Sequence, residues 1–193
     1  MIPLPYEMLR ASGARPRVHG NGFLQLDLNP EGTQRLHGWD DALPRQATRS
    51  SVHDHVFALR STVICGVLEH IEYQPWPTIE GDWQIYRAEQ VEGSTNTELR
   101  PSGEFVDLIE TLRLQLRSGL SYTFPAWSLH DTDHRGLTAT VMEKIDAPSG
   151  YGRPRVLVHR DEAPDNEFDR EGFDQEFLWQ FVYRALELQR EGL

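Results

Sequence analysis

The chain has 193 residues, with 19 Lys and Arg against 30 Asp and Glu, a formal charge of −11 and one cysteine, Cys65. That length fits a single domain spanning 1–193, large enough to hold a core without cross-links. The lone cysteine excludes an intramolecular disulfide, and with it a disulfide-stapled secreted scaffold, so a reducing, cytoplasmic setting is expected.

The acidic balance excludes the clustered Lys and Arg that nucleic-acid phosphates or an anionic membrane surface require. No stretch approaches the roughly 20 apolar residues of a bilayer span. The expected partner is a small molecule, with no nucleic acid and no membrane. A homodimer is a further option.

In chain order, residues 1–22 read as an irregular opening rich in Gly and Pro, without the charged start and apolar run of a signal peptide. Residues 23–28 alternate, with Leu24, Leu26 and Leu28 on one side, and predict a strand. Asn29-Pro30-Glu31-Gly32 signals a turn, and residues 34–39 a second strand. Residues 43–52 read as a loop.

Residues 55–64 and 67–73 are rich in β-branched and aromatic side chains. Cys65-Gly66 between them reads as a bend or bulge, and Pro75-Trp76-Pro77 ends the unit. Residues 83–88 predict a strand, and 89–103 a polar surface loop. Strands follow at 111–117, 120–124, 137–144 and 155–158, with a loop over 146–153. Only residues 168–190 look helical, with Phe173, Phe177, Phe181, Ala185 and Leu188 at steps of three or four, widened by Leu178 and Val182. The pattern predicts an all-β barrel over 23–160 with one C-terminal helix packed outside it.

The chemistry-bearing pattern starts at His53-Asp54-His55. On a strand, two histidines separated by one residue point to the same face and can converge on one point. Imidazole is a ligand for Fe, Zn, Ni, Mn and Cu. Such a pair is also common on surfaces, and by itself leaves that reading open.

Further on, Gly119 is followed by Pro125, Trp127, His130 and His134. This resembles the second motif of the cupin superfamily, Gly-x5-Pro-x-Gly-x2-His-x3-Asn. The first cupin motif, Gly-x5-His-x-His-x3,4-Glu-x6-Gly, is represented by His53, His55 and Gly66. The departures are Leu59 and Arg60 where the glutamate falls, Trp127 for glycine, His134 for asparagine, Ala47 for the leading glycine, and a long gap from Gly66 to Gly119. The stretch from Asn21 to Glu69, with its residues 35–39 and 53–57, also looks like a group of uncharacterised cupin-like proteins of phage and bacterial genomes.

The resemblance implies a cupin-type double-stranded β-helix, or jelly-roll, barrel. It also implies one divalent transition metal held by His53, His55 and His130, with Fe(II) favoured and Zn, Ni or Mn as alternatives. Lacking the glutamate, the chain is similar to cupins with three-histidine iron centres, such as thiol and diketone-cleaving dioxygenases. The implied function is a mononuclear non-haem iron oxygenase acting on a small molecule. Two other readings stand beside it: a Lewis-acid isomerase, epimerase or lyase using Zn or Ni, and a non-enzymatic cupin that binds a small ligand or a partner.

Other residues offer competing readings. His134 is a candidate fourth ligand or proton-transfer group, against an exposed loop histidine, since Asp131-Thr132-Asp133 reads as a turn. Asp131 and Asp133 could orient a ligand imidazole or simply form that turn. Arg60 could meet a substrate carboxylate, although strict alternation from His53 and His55 turns it outward. Tyr122, with Tyr73 and Tyr86, could donate a hydrogen bond in a pocket or fill the barrel. Trp127 could wall a substrate pocket or close the barrel end. His37 and His70 fall on predicted strands without supporting spacing, and Cys65 reads as a small buried hydrophobe.

Overall fold

The computed structural model describes residues 5–44, 51–93, 96–146, 152–164, 166 and 168–192. Among these, nine strands form one antiparallel sheet: β1 Arg17–Val18, β2 Leu24–Asp27, β3 Gln34–Trp39, β4 Ala58–Pro77, β5 Trp83–Gln90, β6 Thr97–Arg117, β7 Ser121–Phe124, β8 Leu129–Asp146 and β9 Arg155–His159. The strand order is β1-β2-β3-β8-β4-β6-β5-β9, with β7 paired to β4 beside it. Two helices accompany the sheet, α1 Tyr6–Ala11 and α2 Gln175–Glu191.

β4 organises the sheet because it bends. Its first part pairs with β7, from Leu59↔Phe124 to Thr62↔Ser121, and its second part with β6, from Val67↔Arg117 to Pro77↔Val106. Its other edge pairs with β8, and the register slips on both sides of Cys65. Gly66 makes the bend possible. Its φ is 77°, and a Cβ there would lie 2.5 Å from the Leu137 carbonyl oxygen and from Thr138 Oγ1. The predicted bend is thus a bulge inside one long strand.

The hydrogen-bonded path also returns on itself. His53 bridges to His130 in β8 on one side and to Val156 in β9 on the other. Backbone bonds of 2.9–3.0 Å link His53 with His130, Asp54 with Arg155, and Val52 with Leu157. Val52, Ile85, Val106, Leu129 and Leu157 form one buried cluster beside this seam. The result is a mostly β, curled, barrel-like sheet with a C-terminal helix, as expected.

α2 covers one face of β2, β3, β4 and β8. Its start is capped by Asp174, which accepts the Phe177 N–H at 2.8 Å, and it ends at Gly192 in the left-handed region. Leu178, Phe181, Val182, Ala185 and Leu186 pack on Leu24, Leu26, Leu36, Ile64 and Ala139. Each such buried aliphatic side chain contributes about 1.5–3 kcal/mol relative to exposure. Period-two alternation in β3 then decides the site: Gly38 lies under the Phe181 ring, while Trp39 joins a separate core cluster with Phe23, Val63 and Leu68.

Four expectations are corrected. The opening is not irregular throughout. Residues 6–11 form α1, which docks on α2 through Tyr6 against Trp179 and Tyr183 and through the Arg10–Glu176 ion pair; so short a helix is held by tertiary contact and leaves no periodic signal. β1 lies in the same stretch.

Residues 89–90 and 97–103 are not a surface loop but the ends of β5 and β6, paired from Gln90↔Thr97 to Tyr86↔Pro101, while residues 94–95 of that stretch lie outside the described residues. Their polarity reflects exposed strands carrying ion pairs such as Arg100–Glu98 at 3.1 Å. Asp131-Thr132-Asp133 is not a turn; it continues β8, opposite Ile71, His70 and Glu69. As expected, the unit ends at Pro75-Trp76-Pro77, where β4 stops at Pro77. The helix begins at Gln175 rather than at 168, because Asp174 caps it, and Phe177 faces solvent while Trp179 and Leu186 are buried instead.

Candidate metal centre

His53 and His55 lie on the extended segment that closes the seam, and His130 sits at the start of β8 directly across from His53. The three ring centroids are 4.5, 4.8 and 5.1 Å apart. One nitrogen from each ring lies within 4.8 Å of the other two. A single ion about 2.1 Å from three imidazoles holds their nitrogens roughly 3–3.5 Å apart, so closure needs ring shifts of about an ångström.

The rings are oriented by backbone. His53 Nδ1 donates to the Ser51 carbonyl at 2.7 Å, with the Asn21 side-chain amide 3.0 Å from the same nitrogen. His130 Nδ1 donates to the Ser128 carbonyl at 3.1 Å. Each carbonyl lies two residues before its histidine, and an imidazole that donates from Nδ1 keeps the lone pair of its Nε2. Burial holds all three imidazoles neutral: His55 and His130 fall well below the ordinary value of 6.5, and His53 falls below it despite the Ser51 carbonyl. The set is neutral and desolvated, and suits a borderline transition metal.

Asp54, between the two histidines, anchors them. Its fully buried carboxylate accepts the Arg155 backbone N–H and the Arg155 Nε, both at 2.6 Å. The same guanidinium donates to the Trp127 carbonyl at 3.0 Å, and the Trp127 N–H donates to the His55 carbonyl at 2.8 Å. One ion pair therefore ties together 53–55, β9 and the turn before His130. Trp127 has φ 68°, which explains the glycine at this place in the motif it resembles. Sequence reasoning missed Asp54 and Arg155; the signal available was a carboxylate placed where its strand neighbours were both candidate ligands.

The other candidates scatter. Tyr122 is near the histidines and partly buried; its hydroxyl is paired with Ser61, and desolvation pushes it up to about 12. The Trp127 ring packs on Gly152, at whose α-carbon a Cβ would lie 2.2 Å from it. Arg60 is more than half exposed and 4.0 Å from Glu143, outside the sheet. His134 is in β8 opposite Leu68 and its side chain is almost fully enclosed, not exposed in a loop; its Nε2 lies 3.7 Å from Asp41 and it is not among the clustered three. Asp131 accepts from the Ser51 hydroxyl at 2.8 Å and so steadies the backbone that holds His53.

The His70 ring lies tilted at 5.6 Å from His130, and its Nε2 is 3.2 Å from Glu72. His37 is held down to about 3, by burial first and then by Arg35. The Cys65 thiol is buried and raised to about 11, an inert side chain.

Two cavities meet at His53 and His55. A narrow one of about 40 Å³ is walled by Phe23, Trp39, Tyr122, Phe124 and Met142 and reaches His130. A wider one of about 190 Å³ opens on the other side, against Leu99, Val156, Val158, Phe168 and Arg170. A metal at the histidines would face both spaces.

No protein-family model matches the chain, and no curated protein matches it. Similar solved structures include hydroquinone 1,2-dioxygenase PnpCD, in complex with Cd2+ and 4-hydroxybenzonitrile, at 12% identity over 74% of this chain and 71% of that chain, TM-score 0.32. A second is hydroquinone 1,2-dioxygenase from Sphingomonas sp. TTNP3 with 4-hydroxybenzoate bound, at 14% identity over 72% of this chain and 71% of that chain, also TM-score 0.32. At that TM-score the likeness carries no argument about reaction. No helix among the described residues is long and apolar enough to cross a membrane.

Proposed function

We propose that the chain is a metal-dependent enzyme of cupin-like, double-stranded β-helix architecture, with residues 1–193 as its single domain. In this reading it acts as a mononuclear non-haem iron oxygenase on a small molecule. His53, His55 and His130 hold one divalent transition metal, Fe(II) first, with Zn, Ni or Mn behind it. The observation that carries this is the convergence of three neutral imidazoles, two buried and one half-buried, two of them with Nδ1 against a backbone carbonyl.

A bound ion would supply a Lewis-acid and redox centre with coordination positions the protein does not fill. The chain's own residues set the conditions around it. Ser51, Ser128 and the Asp54–Arg155 clamp hold the ligand rings in place. Phe23, Trp39, Phe124 and Met142 exclude water from the narrow side, and Tyr122 keeps its proton there and presents a neutral donor. A strand-borne set of this kind is rigid enough for chemistry that tolerates little misplacement.

The test is metal analysis by mass spectrometry of protein purified without an affinity tag, with His53→Ala in parallel, followed by oxygen-electrode screening with small thiols and diketones. Near one iron per chain, lost in the variant, together with substrate-dependent oxygen uptake, supports the oxygenase. Near one zinc or nickel with no uptake replaces it by Lewis-acid chemistry. No metal in either protein after reconstitution removes the enzyme reading.

A further inference from the structure

The narrow cavity holds a polar group that the metal site does not use. His37 lies in β3 and lines this space together with His53, His55 and His130. The four rings sense one another: a charge on His53 acts on His37, and one on His37 acts on His55 and His130. Other polar side chains on the wall are engaged. The Asn21 amide lies 3.0 Å from His53 Nδ1, the Ser51 hydroxyl donates to Asp131 at 2.8 Å, and Tyr122 pairs with Ser61. His37 Nε2 is enclosed and has no hydrogen-bond partner among the described residues.

The register sets a second such group beside it. His37 stands opposite Thr140 of β8, and directly opposed residues share a face of the sheet. Thr140 is fully buried, and its hydroxyl also lacks a partner among the described residues. An enclosed polar atom left unmet costs about 1–3 kcal/mol, and native structures leave few of them without a reason. A neutral imidazole donates from one nitrogen and accepts at the other. Burial keeps the His37 ring uncharged, so it offers that bond without setting a charge against apolar walls.

Size decides what can take the bond. The cavity measures about 40 Å³, and its apolar walls are Phe23, Trp39, Leu59, Phe124 and Met142. One water needs roughly 10–15 Å³, so there is space for roughly two or three heavy atoms and none for a ring. The cavity on the other side of His53 and His55 measures about 190 Å³. An apolar cavity of roughly 150 Å³ already holds a benzene.

We infer that the two cavities sort ligands by size: the narrow one seats a small co-substrate hydrogen-bonded to the His37 imidazole, and the wider one seats the organic substrate. In the oxygenase reading, on which this rests, the small ligand is dioxygen. His37 is then a binding residue outside the three metal ligands, and it fixes which side of the metal takes the small molecule.

The experiment is calorimetric titration of the metal-loaded full chain with azide, a three-atom probe, with metal content measured for every variant. Loss of one hydrogen bond should make His37→Leu bind azide about three- to tenfold more weakly. His37→Gln, which keeps a donor and an acceptor, should recover most of that loss. Leu59→Phe fills the narrow cavity from β4 and should abolish azide binding with the metal retained, which keeps the test decisive should His37→Leu fail to fold. Ala88→Phe fills the wider cavity from β5 and should leave azide affinity unchanged.

No azide binding by the loaded wild type, unchanged affinity in His37→Leu or Leu59→Phe, a His37→Gln no better than His37→Leu, or loss in Ala88→Phe would each overturn the inference and leave the three-histidine metal site standing. A chain that retains no metal after reconstitution removes the metal reading, and this inference falls with it.

Discussion

Asp54 and Arg155 are joined twice, once through the Arg155 backbone N–H and once through its Nε, both at 2.6 Å to a carboxylate with no solvent exposure. The pair stitches the His53–His55 segment to β9 and, through the Trp127 carbonyl, to the turn that delivers His130. Removing the carboxylate leaves the guanidinium unpaired, a loss of about 3 kcal/mol or more. Asp54→Ala should therefore lower the urea midpoint and weaken metal binding by about 10- to 100-fold, as loss of an orienting partner does. A competitive chelator titration reads the second effect. Unchanged affinity would limit the clamp to stability.

His53→Ala and His130→Ala should each lose most bound metal while keeping the far-ultraviolet spectrum of a β fold. His134→Ala should keep its metal, because its ring sits against Asp41 and outside the cluster. Stoichiometric metal in either of the first two, or loss in the third, would redraw the ligand set.

Stability should fall as the medium is acidified. Burial lowers His37 to about 3, and His19 lies well below its ordinary 6.5, while the same rings in the unfolded chain take up a proton near 6.5. The unfolded state thus binds more protons between those values. The stabilisation is complete above about pH 6.5 and is lost below it, at about 1.4 kcal/mol per pH unit for each such group. Urea melts at pH 7.5, 6 and 5 measure the slope, and His37→Leu should make it shallower by about one proton.

Gly38 and Phe181 form a tight contact across the interface between β3 and α2, where a Cβ on Gly38 would stand 2.3 Å from the ring. Gly38→Ala should cost about 1–3 kcal/mol by overpacking. Adding Phe181→Leu should recover part of it, a coupling a double-mutant cycle reports. Additive losses would mean that α2 shifts rather than clashes.

Removing residues from 168 onward strips Leu178, Phe181, Val182, Ala185 and Leu186 from Leu24, Leu26, Leu36 and Ala139. The truncated chain should aggregate and bind an apolar dye. A monomer with an unchanged melting midpoint would show that the helix is dispensable.

Several features were decided by the sequence alone, because each depends on residues close together along the chain. Alternation in 23–28 set a strand, the turn signal at Asn29-Pro30-Glu31-Gly32 separated it from the next, and the His-x-His spacing set two rings on one face. Cys65-Gly66 marked a bulge, and the 3.6-residue period marked the terminal helix. The local signal put Phe177 on the buried stripe, whereas it is exposed and Trp179 and Leu186 are buried against the rest of the fold.

Only the tertiary structure decided the rest, because the partners lie far apart in sequence. His130 meets His53 across 77 residues through a strand bridge, and Asp54 finds Arg155 across 101. Arg170 reaches Gln25 across 145. The polar hairpin of β5 and β6 and the polar start of β8 are strands through the edges they pair with, not through their own composition. Which histidines cluster, and which further imidazole lines the same cavity, follows from how those edges meet.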